Sequence, residues 1–256
     1  MIKRILAVLF LLSALSYADY SENVIWRFTF DTGESGYSNF PARICQKEYQ
    51  ATILHANPYR IGSLNWNYAS GSSGWGRWGI SSSFQSYSLS GLYDDYSIAL
   101  GGAYRISDRL FISVDAVTQQ EKFGERLYKS WGGNIKSSYS QKVISISGGI
   151  DRIWLNQPYH NSAKNGVPYL TVTAPINSNS RLGMGYIVNE SSHGRWMFYQ
   201  NIVLVEKINV DLGYISKPDI LQCGLDFGWE MLKFGLIYQG IDKLDNTIIW
   251  SISTGK

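Results

Sequence analysis

Long hydrophobic runs, histidine, cysteine and charge are all scarce in this sequence of 256 residues. After residue 18 no window of eighteen residues is apolar throughout, which excludes a transmembrane helix in the rest of the chain. The three histidines and two cysteines match no zinc-binding spacing, and the chain has neither a phosphate-binding glycine loop nor a Gly-x-Ser-x-Gly motif. We therefore expect no cofactor and no metal.

The two cysteines, Cys45 and Cys223, lie 178 residues apart in the chain. An oxidising compartment permits a disulfide, but this separation says nothing about proximity in the fold. Unpaired cysteine behaves as a small apolar residue. Two free thiols, buried or facing lipid, are therefore the favoured interpretation.

The first eighteen residues have the organisation of a secretory signal peptide. Lys3 and Arg4 precede an apolar stretch from Ile5 to Leu15, and Ser16 and Ala18 are small residues of a cleavage site. The apolar stretch is too short to span a bilayer. We expect export by this peptide (residues 1–18), cleavage near Ala18, and a single domain over residues 19–256.

Charge is balanced once this peptide is removed. Loss of Lys3 and Arg4 leaves 21 basic and 20 acidic residues, which argues against a nucleic-acid partner. Aromatic residues are abundant, with 18 tyrosines, 9 tryptophans and 10 phenylalanines, and many stand near the ends of strand-like runs. Rings with an apolar body and a polar tip suit the two interfaces of a membrane.

The stretch Gly91–Gln120 shows the pattern that the rest of the chain repeats. Even positions are mostly apolar or aromatic from Tyr96 to Ile106 and again from Leu110 to Ala116, whereas odd positions are mostly small, polar or charged. Such alternation places one kind of side chain on each face of a strand. The pattern predicts a hairpin with an apolar outer face, on which Leu100, Ile112 and Val114 contact lipid.

Similar runs follow one another to the end of the chain with almost no helical periodicity. They predict an all-β fold, an antiparallel transmembrane β-barrel of roughly twelve to fourteen strands. A soluble periplasmic β-protein, with the aromatic residues in its core, is the alternative.

Several short segments resemble the PorV/PorQ-type outer-membrane proteins, relatives of the FadL long-chain fatty-acid transporter group. They include Leu92–Ser97 (LYDDYS), Ile146–Trp154 (ISGGIDRIW), Val205–Lys207 (VEK) and Cys223–Asp226 (CGLD). The resemblance extends loosely over residues 45–250. It implies a non-enzymatic barrel in the outer membrane that serves secretion or surface attachment.

Charged residues on the polar faces of these runs are candidates for the lumen of the barrel. They are Arg105, Arg109, Asp115, Asp151, Asp211 and Asp226. In a narrow barrel they would pair across the lumen, and in a wider one they would line a path for solute. Internal pairing is the favoured interpretation.

The segment Glu121–Ser138 interrupts the alternation, so we interpret it as a long loop with a functional role. Its apolar residues, Phe123, Leu127, Tyr128 and Trp131, would form a docking surface or a lid. A second polar segment holds His160 and Ser162, a spacing that a lipid hydrolase could use for nucleophilic attack. No orienting residue or oxyanion donor accompanies this pair, so no catalytic residue is assigned.

Four functional hypotheses remain. The first is the non-enzymatic PorV/PorQ-like barrel, with secretion or surface-protein partners. The second is a small FadL-like channel for hydrophobic small molecules. The others are an outer-membrane lipid hydrolase and the soluble periplasmic protein. All but the last require contact with outer-membrane lipid.

Overall fold

Every strand of the structure pairs with its neighbours in sequence, and the last strand pairs with the first. In the computed structural model, the described residues form fourteen antiparallel strands that close into a barrel through the pairing of β1 with β14. Closure leaves the sheet without a free edge, which is what a bilayer demands of a β-structure. The predicted all-β antiparallel barrel of twelve to fourteen strands is confirmed.

The structure describes residues 44–45, 49–58, 62–90, 92–156, 166–188, 194–216, 219–229, 231–241 and 246–255. The strands are β1 Gln50–Asn57, β2 Leu64–Trp75, β3 Trp78–Leu89, β4 Tyr93–Arg105, β5 Leu110–Phe123, β6 Arg126–Ser140, β7 Ser145–Trp154, β8 Val167–Asn177, β9 Ser180–Val188, β10 Gly194–Val205, β11 Ile208–Ile215, β12 Ile220–Trp229, β13 Leu232–Ile241 and β14 Thr247–Gly255. The expected signal peptide and the residues His160 and Ser162 lie outside the described ranges.

The two ends of the barrel differ in the length of their connections. At one end, here called the turn end, two or four residues join β2 to β3, β4 to β5, and so on to β12 and β13. At the opposite end, here called the loop end, the connections run from two to twelve residues. An even number of strands brings the start of β1 and the end of β14 to the turn end.

Side chains alternate between the lumen and the outer surface along each strand. On β5, Phe111, Ser113 and Asp115 are buried toward the lumen, whereas Ile112 and Val114 are exposed on the outside. Residues that lie opposite each other on adjacent strands face the same side of the wall. Gly101 on β4 and Asn134 on β6 both lie opposite Asp115, so they also face the lumen. The outward placement predicted for Leu100, Ile112 and Val114 is therefore confirmed.

A β-bulge interrupts the pairing of β6 with β7. The register shifts between Gly133 and Ile135, and Arg152 adopts a positive φ of 59°. The backbone N–H of Arg152 donates a hydrogen bond of 2.8 Å to the Asn134 side-chain oxygen. Bulges commonly re-aim side chains, and this one accompanies the placement of Asp151 beside a lumen lysine.

The loop predicted over Glu121–Ser138 is wrong. Those residues form the end of β5 and most of β6, and only Gly124 and Glu125 connect the two strands. Gly124 takes a φ of 56°, which a tight turn here requires. The segment is therefore part of the barrel wall.

Both cysteine thiols are free, as expected from the sequence. Cys45 is buried, and Cys223 is exposed on the outward face of β12. Among the described residues, no helix is long and apolar enough to cross a membrane.

Candidate functional site

The outer surface of the barrel is covered with large apolar side chains. Leu100 is 61% exposed and Val114 59%, and comparable outward residues occur on strands all around the barrel. A soluble protein rarely exposes a continuous apolar surface of this extent. This surface is suited to contact with hydrocarbon chains.

Aromatic residues border the apolar surface at both ends. Trp78 packs against Tyr104 at the turn end, with ring centroids 4.5 Å apart, and Tyr186 packs against Trp196 at the loop end, with centroids 4.9 Å apart. On β4, Tyr96 and Tyr104 are eight residues apart, which is about 26 Å along the strand and about 20 Å in height at a tilt of about 40°. That height is close to the apolar band of membrane barrels, about 25 Å.

Inside the barrel, the loop end is lined mainly by a group of apolar and aromatic residues, with the charged residues Glu121 and Arg195 buried on the same face of the wall. This group, here called the apolar lumen cluster, consists of Leu54, Ala56, Leu64, Trp66, Tyr87, Leu89, Tyr93, Val167, Tyr169, Ile187, Met197, Tyr199, Ile215, Ile220, Ile237 and Ile249. Its members come from β1 to β4 and from β8 to β14. An apolar lining is unusual, because the lumen of a membrane barrel is ordinarily polar.

Members of the apolar lumen cluster are withdrawn from solvent although they point into the lumen. Trp66 and Met197 are each 1% exposed, and Ile237 and Ile249 are fully buried. Water in an open pore would reach such side chains. The lumen is therefore filled at this level.

Nearer the turn end, the lumen wall carries a charged cluster centred on Lys136. The Lys136 Nζ atom lies 3.3 Å from an Asp115 oxygen and 3.7 Å from an Asp151 oxygen. Asn134 adds a hydrogen bond of 3.3 Å from its amide nitrogen to Asp115. One cation thus holds two acidic side chains from β5 and β7 against β6.

A second polar cluster joins β10 and β11. Tyr199 and Asn201 donate hydrogen bonds of 2.6 and 2.8 Å to the same oxygen of Asp211, which is almost completely buried. Buried carboxylates are stable only with such partners. The Tyr199 ring belongs to the apolar lumen cluster, so this hydrogen bond also fixes part of the apolar lining.

The remaining candidate charges are distributed differently. Asp226 is buried in the lumen opposite Asn209, and Arg105 lies half-buried opposite Phe111 at the turn end. Arg109 is exposed in the turn between β4 and β5, where its backbone N–H donates to Ser107 Oγ. The structure thus brings Asp115 and Asp151 together but leaves Arg109 outside the lumen.

The residues predicted to form a functional loop fall on both faces of the wall. Phe123 points into the lumen and packs against Tyr93, with ring centroids 4.5 Å apart, and Tyr128 lies half-buried on the same face. Leu127 and Trp131 are exposed on the outer face. These four residues therefore do not form one docking surface or lid.

Residues 44 and 45 lie inside the barrel at the turn end. Ile44 is fully buried with Ala103 and Phe111, two lumen-facing residues of β4 and β5. A Cβ atom at Gly79 would lie 2.6 Å from Ile44 Cγ2, so the absent side chain at residue 79 makes room for Ile44. The Cys45 thiol is 3.8 Å from the Arg77 carbonyl oxygen.

The sequence interpretation missed Lys136 and the apolar lumen cluster. Lys136 was hidden because its segment was interpreted as a loop. The cluster could have been found at Leu54 and Met197, since their runs have apolar residues on both faces near the loop end. Within the described part of the chain, no group of His, Cys, Asp and Glu could hold a metal ion.

No protein-family model matches the chain, and no curated protein matches it. Among solved structures, the KdgM porin in complex with disordered oligogalacturonate is 10% identical, and the match covers 80% of this chain and 98% of that chain at a TM-score of 0.44. A mutant of Rh. blastica porin is 9% identical, with 82% and 99% covered and a TM-score of 0.43. A likeness at this level concerns the barrel alone.

Proposed function

We propose that this protein is an outer-membrane β-barrel that admits small hydrophobic solutes through a lumen that is closed at rest. In this proposal residues 1–18 are a signal peptide and residues 19–256 form one barrel domain. Short turns face the periplasm in barrels of this kind and longer connections face outward. The loop end is therefore the outer mouth.

The outer surface supports the membrane location. Apolar residues with aromatic borders at both ends match the band and girdles of an outer-membrane barrel. Charged side chains such as Asp115, Lys136 and Asp151 are instead directed inward, where they pair with one another. A soluble periplasmic barrel would instead direct its apolar side chains inward and its charged side chains outward.

The observation that carries the proposed transport function is the apolar lumen cluster at the outer mouth. Hydrophilic solutes gain nothing from such a lining, whereas burial of an apolar solute is favourable by about 25 cal/mol per Å² of surface. Ligand sites are typically concave and lined mostly by hydrophobic and aromatic side chains, with a few polar groups. The cluster fits that description.

Burial of the cluster indicates a gated path and not an open pore. Because Trp66, Met197 and Ile249 are withdrawn from solvent, passage of a solute requires these side chains to move. We expect little ion conductance in a planar bilayer, together with uptake of apolar solutes.

Uptake by cells tests the function. Cells of a lipopolysaccharide-bearing host that produce the full chain should take up radiolabelled oleic acid faster than cells without it. Met197→Gln, a change of similar volume inside the apolar lumen cluster, should lower the initial rate several-fold because the polar amide opposes an apolar solute. Met184→Gln is the matched control, since Met184 lies on the outer face of β9.

Folding of each variant is checked by heat-modifiable migration of the membrane-extracted protein. The proposal is wrong if the folded wild-type protein, present in the outer membrane, gives no uptake above the control cells. It is equally wrong if Met197→Gln and Met184→Gln behave alike.

A second candidate is the PorV/PorQ-like role in secretion or surface attachment, which stays a prediction. The filled lumen favours it, since an anchor for other proteins needs no path for solute. Deletion in the native host would then leave surface proteins in the periplasm and leave oleic-acid uptake unchanged. The opposite pair of results would favour the hydrophobic channel.

A further inference from the structure

Gln239 lies in the apolar part of the lumen near the loop end, two residues before the end of β13. It is fully buried on β13, on the same face as Ile237. Its cross-strand neighbours are Gln222 on β12 and Thr247 on β14. Its side chain thus belongs to the wall of the proposed path for solute.

Beyond its two polar cross-strand neighbours, the wall around Gln239 is apolar. Ile220, Ile237 and Ile249 lie on the same and adjacent strands, face the same side and are all fully buried. Gln222 and Thr247 take part in interactions of their own. The wall around Gln239 thus combines these two polar side chains with the hydrocarbon of the three isoleucines.

Within the part of the chain that the structure describes, neither the amide nitrogen nor the amide oxygen of Gln239 has a hydrogen-bond partner. Native proteins rarely leave a buried amide in this condition, because its desolvation is then uncompensated. The side chain offers one unsatisfied acceptor and unsatisfied donors at a single point of an apolar wall.

We propose that Gln239 binds the polar head group of an amphipathic ligand whose apolar chain contacts the apolar lumen cluster. This inference rests on the proposed function and specifies its substrate class. The head group is neutral and both donates and accepts a hydrogen bond, as a primary amide or a protonated carboxylic acid does. Such a group satisfies the nitrogen and the oxygen of Gln239 together.

An ionised head group fits this position poorly. A carboxylate can accept from the Gln239 nitrogen but cannot donate to its oxygen. Its charge would also lie among Ile220, Ile237 and Ile249, where desolvation penalises an ion without a partner. The cation Lys136 already lies between two carboxylates on β5 and β7, and Arg195 at the loop end already donates to the Ser216 carbonyl oxygen and has further interactions.

Two probes that differ at the amide nitrogen, which carries two hydrogens in one and two methyl groups in the other, test the proposal. Radiolabelled dodecanamide can donate and accept, whereas its N,N-dimethyl derivative can only accept. The purified full chain in detergent is expected to bind dodecanamide about tenfold more tightly, because the second probe leaves the Gln239 oxygen unpaired. Equilibrium dialysis measures both affinities.

Substitution of Gln239 completes the experiment. In Gln239→Leu we expect the preference for dodecanamide to disappear, while the temperature of heat modification stays equal or rises because an unsatisfied amide is removed. Gln200→Leu is the matched control, since Gln200 lies on the outward face of β10 and donates to Ser180. This variant should keep the preference.

The outcomes separate this inference from the proposed function. If wild type and Gln239→Leu bind the two amides with the same ratio, Gln239 does not recognise a head group and this inference is overturned. Unchanged oleic-acid uptake in that case leaves the proposed function standing. If the wild-type protein neither binds dodecanamide nor supports uptake, the proposed function fails as well.

Discussion

A Cβ atom at Gly101 would overlap the Asp115 carboxylate, so Asp115 occupies its position only because residue 101 has no side chain. The same carboxylate accepts from Asn134 and pairs with Lys136. At the scale of single residues, one glycine on β4 therefore permits a charged cluster that spans β5, β6 and β7. The neighbouring Gly102 faces outward and has no such constraint.

Gly101→Ala should accordingly destabilise the barrel. Displacement of Asp115 overpacks the wall and disturbs its pairing with Lys136, with an expected loss of about 1–3 kcal/mol in the free energy of unfolding. The measurement is the urea midpoint of the protein in lipid vesicles.

Gly102→Ala is the control for this substitution. A Cβ atom there would lie 4.0 Å from the Gly79 carbonyl oxygen, an ordinary contact, so stability should stay within about 0.5 kcal/mol of the wild type. Equal midpoints for Gly101→Ala and Gly102→Ala would contradict the steric account.

The alternating pattern was sufficient to place Asp115, Asp211 and Asp226 on the polar face from the sequence. It could not show which of them meet, because pairing depends on register and on the bulge at Arg152. The unsatisfied amide of Gln239 was equally hidden. Alternation reports the face on which a side chain lies but not the groups that surround it.

At the scale of elements, β6 shows why a strand was interpreted as a loop. Its outward residues Leu127, Trp131 and Ile135 are separated by outward Lys129 and Gly133, so apolar residues recur every four positions. A strict two-residue period is the sign of a strand. Polar residues on both faces of β6 therefore conceal the strand.

Cys45, which precedes β1, allows a prediction about the pH dependence of its reaction with an alkylating reagent. Burial raises the pKa of the Cys45 thiol, and the nearby Arg105 guanidinium partly opposes this effect. A raised thiol pKa means less thiolate at a given pH, and the thiolate is the reactive form. In a Cys223→Ser background, alkylation of folded Cys45 should therefore require a higher pH than alkylation of the urea-unfolded chain.

Rates of iodoacetamide reaction across a pH series measure this difference. Arg105→Met removes the opposing charge and should shift the folded-state profile further toward high pH. Coincident profiles for folded and unfolded protein would show that residues 44–45 are not held in the lumen.

At the scale of the whole molecule, the barrel combines an apolar exterior with a lumen that holds the apolar lumen cluster toward the loop end and the charged cluster around Lys136 nearer the turn end. Closure of the barrel gives the backbone N–H and C=O groups of every strand a hydrogen-bond partner. The side chains alone therefore determine which environment the outer surface suits and what the lumen contains. The sequence predicted the exterior because the outward face repeats over many strands. The apolar part of the lumen arises from side chains that converge from distant strands, and a single strand does not reveal it.

If the barrel lies in a bilayer, the free-energy cost of a charged side chain on its outer face depends on the depth of that side chain in the hydrocarbon layer. Leu100 lies midway between Tyr96 and Tyr104 on β4, at the centre of the apolar band. Leu100→Arg should therefore lower the free energy of unfolding in lipid vesicles by about 2–4 kcal/mol. Leu92→Arg is the control, because Leu92 is exposed in the connection between β3 and β4 at the loop end, where the cost should fall to about 0–1 kcal/mol. Urea titrations in vesicles measure both values, and an equal loss in the two variants would mean that β4 does not cross the hydrocarbon layer.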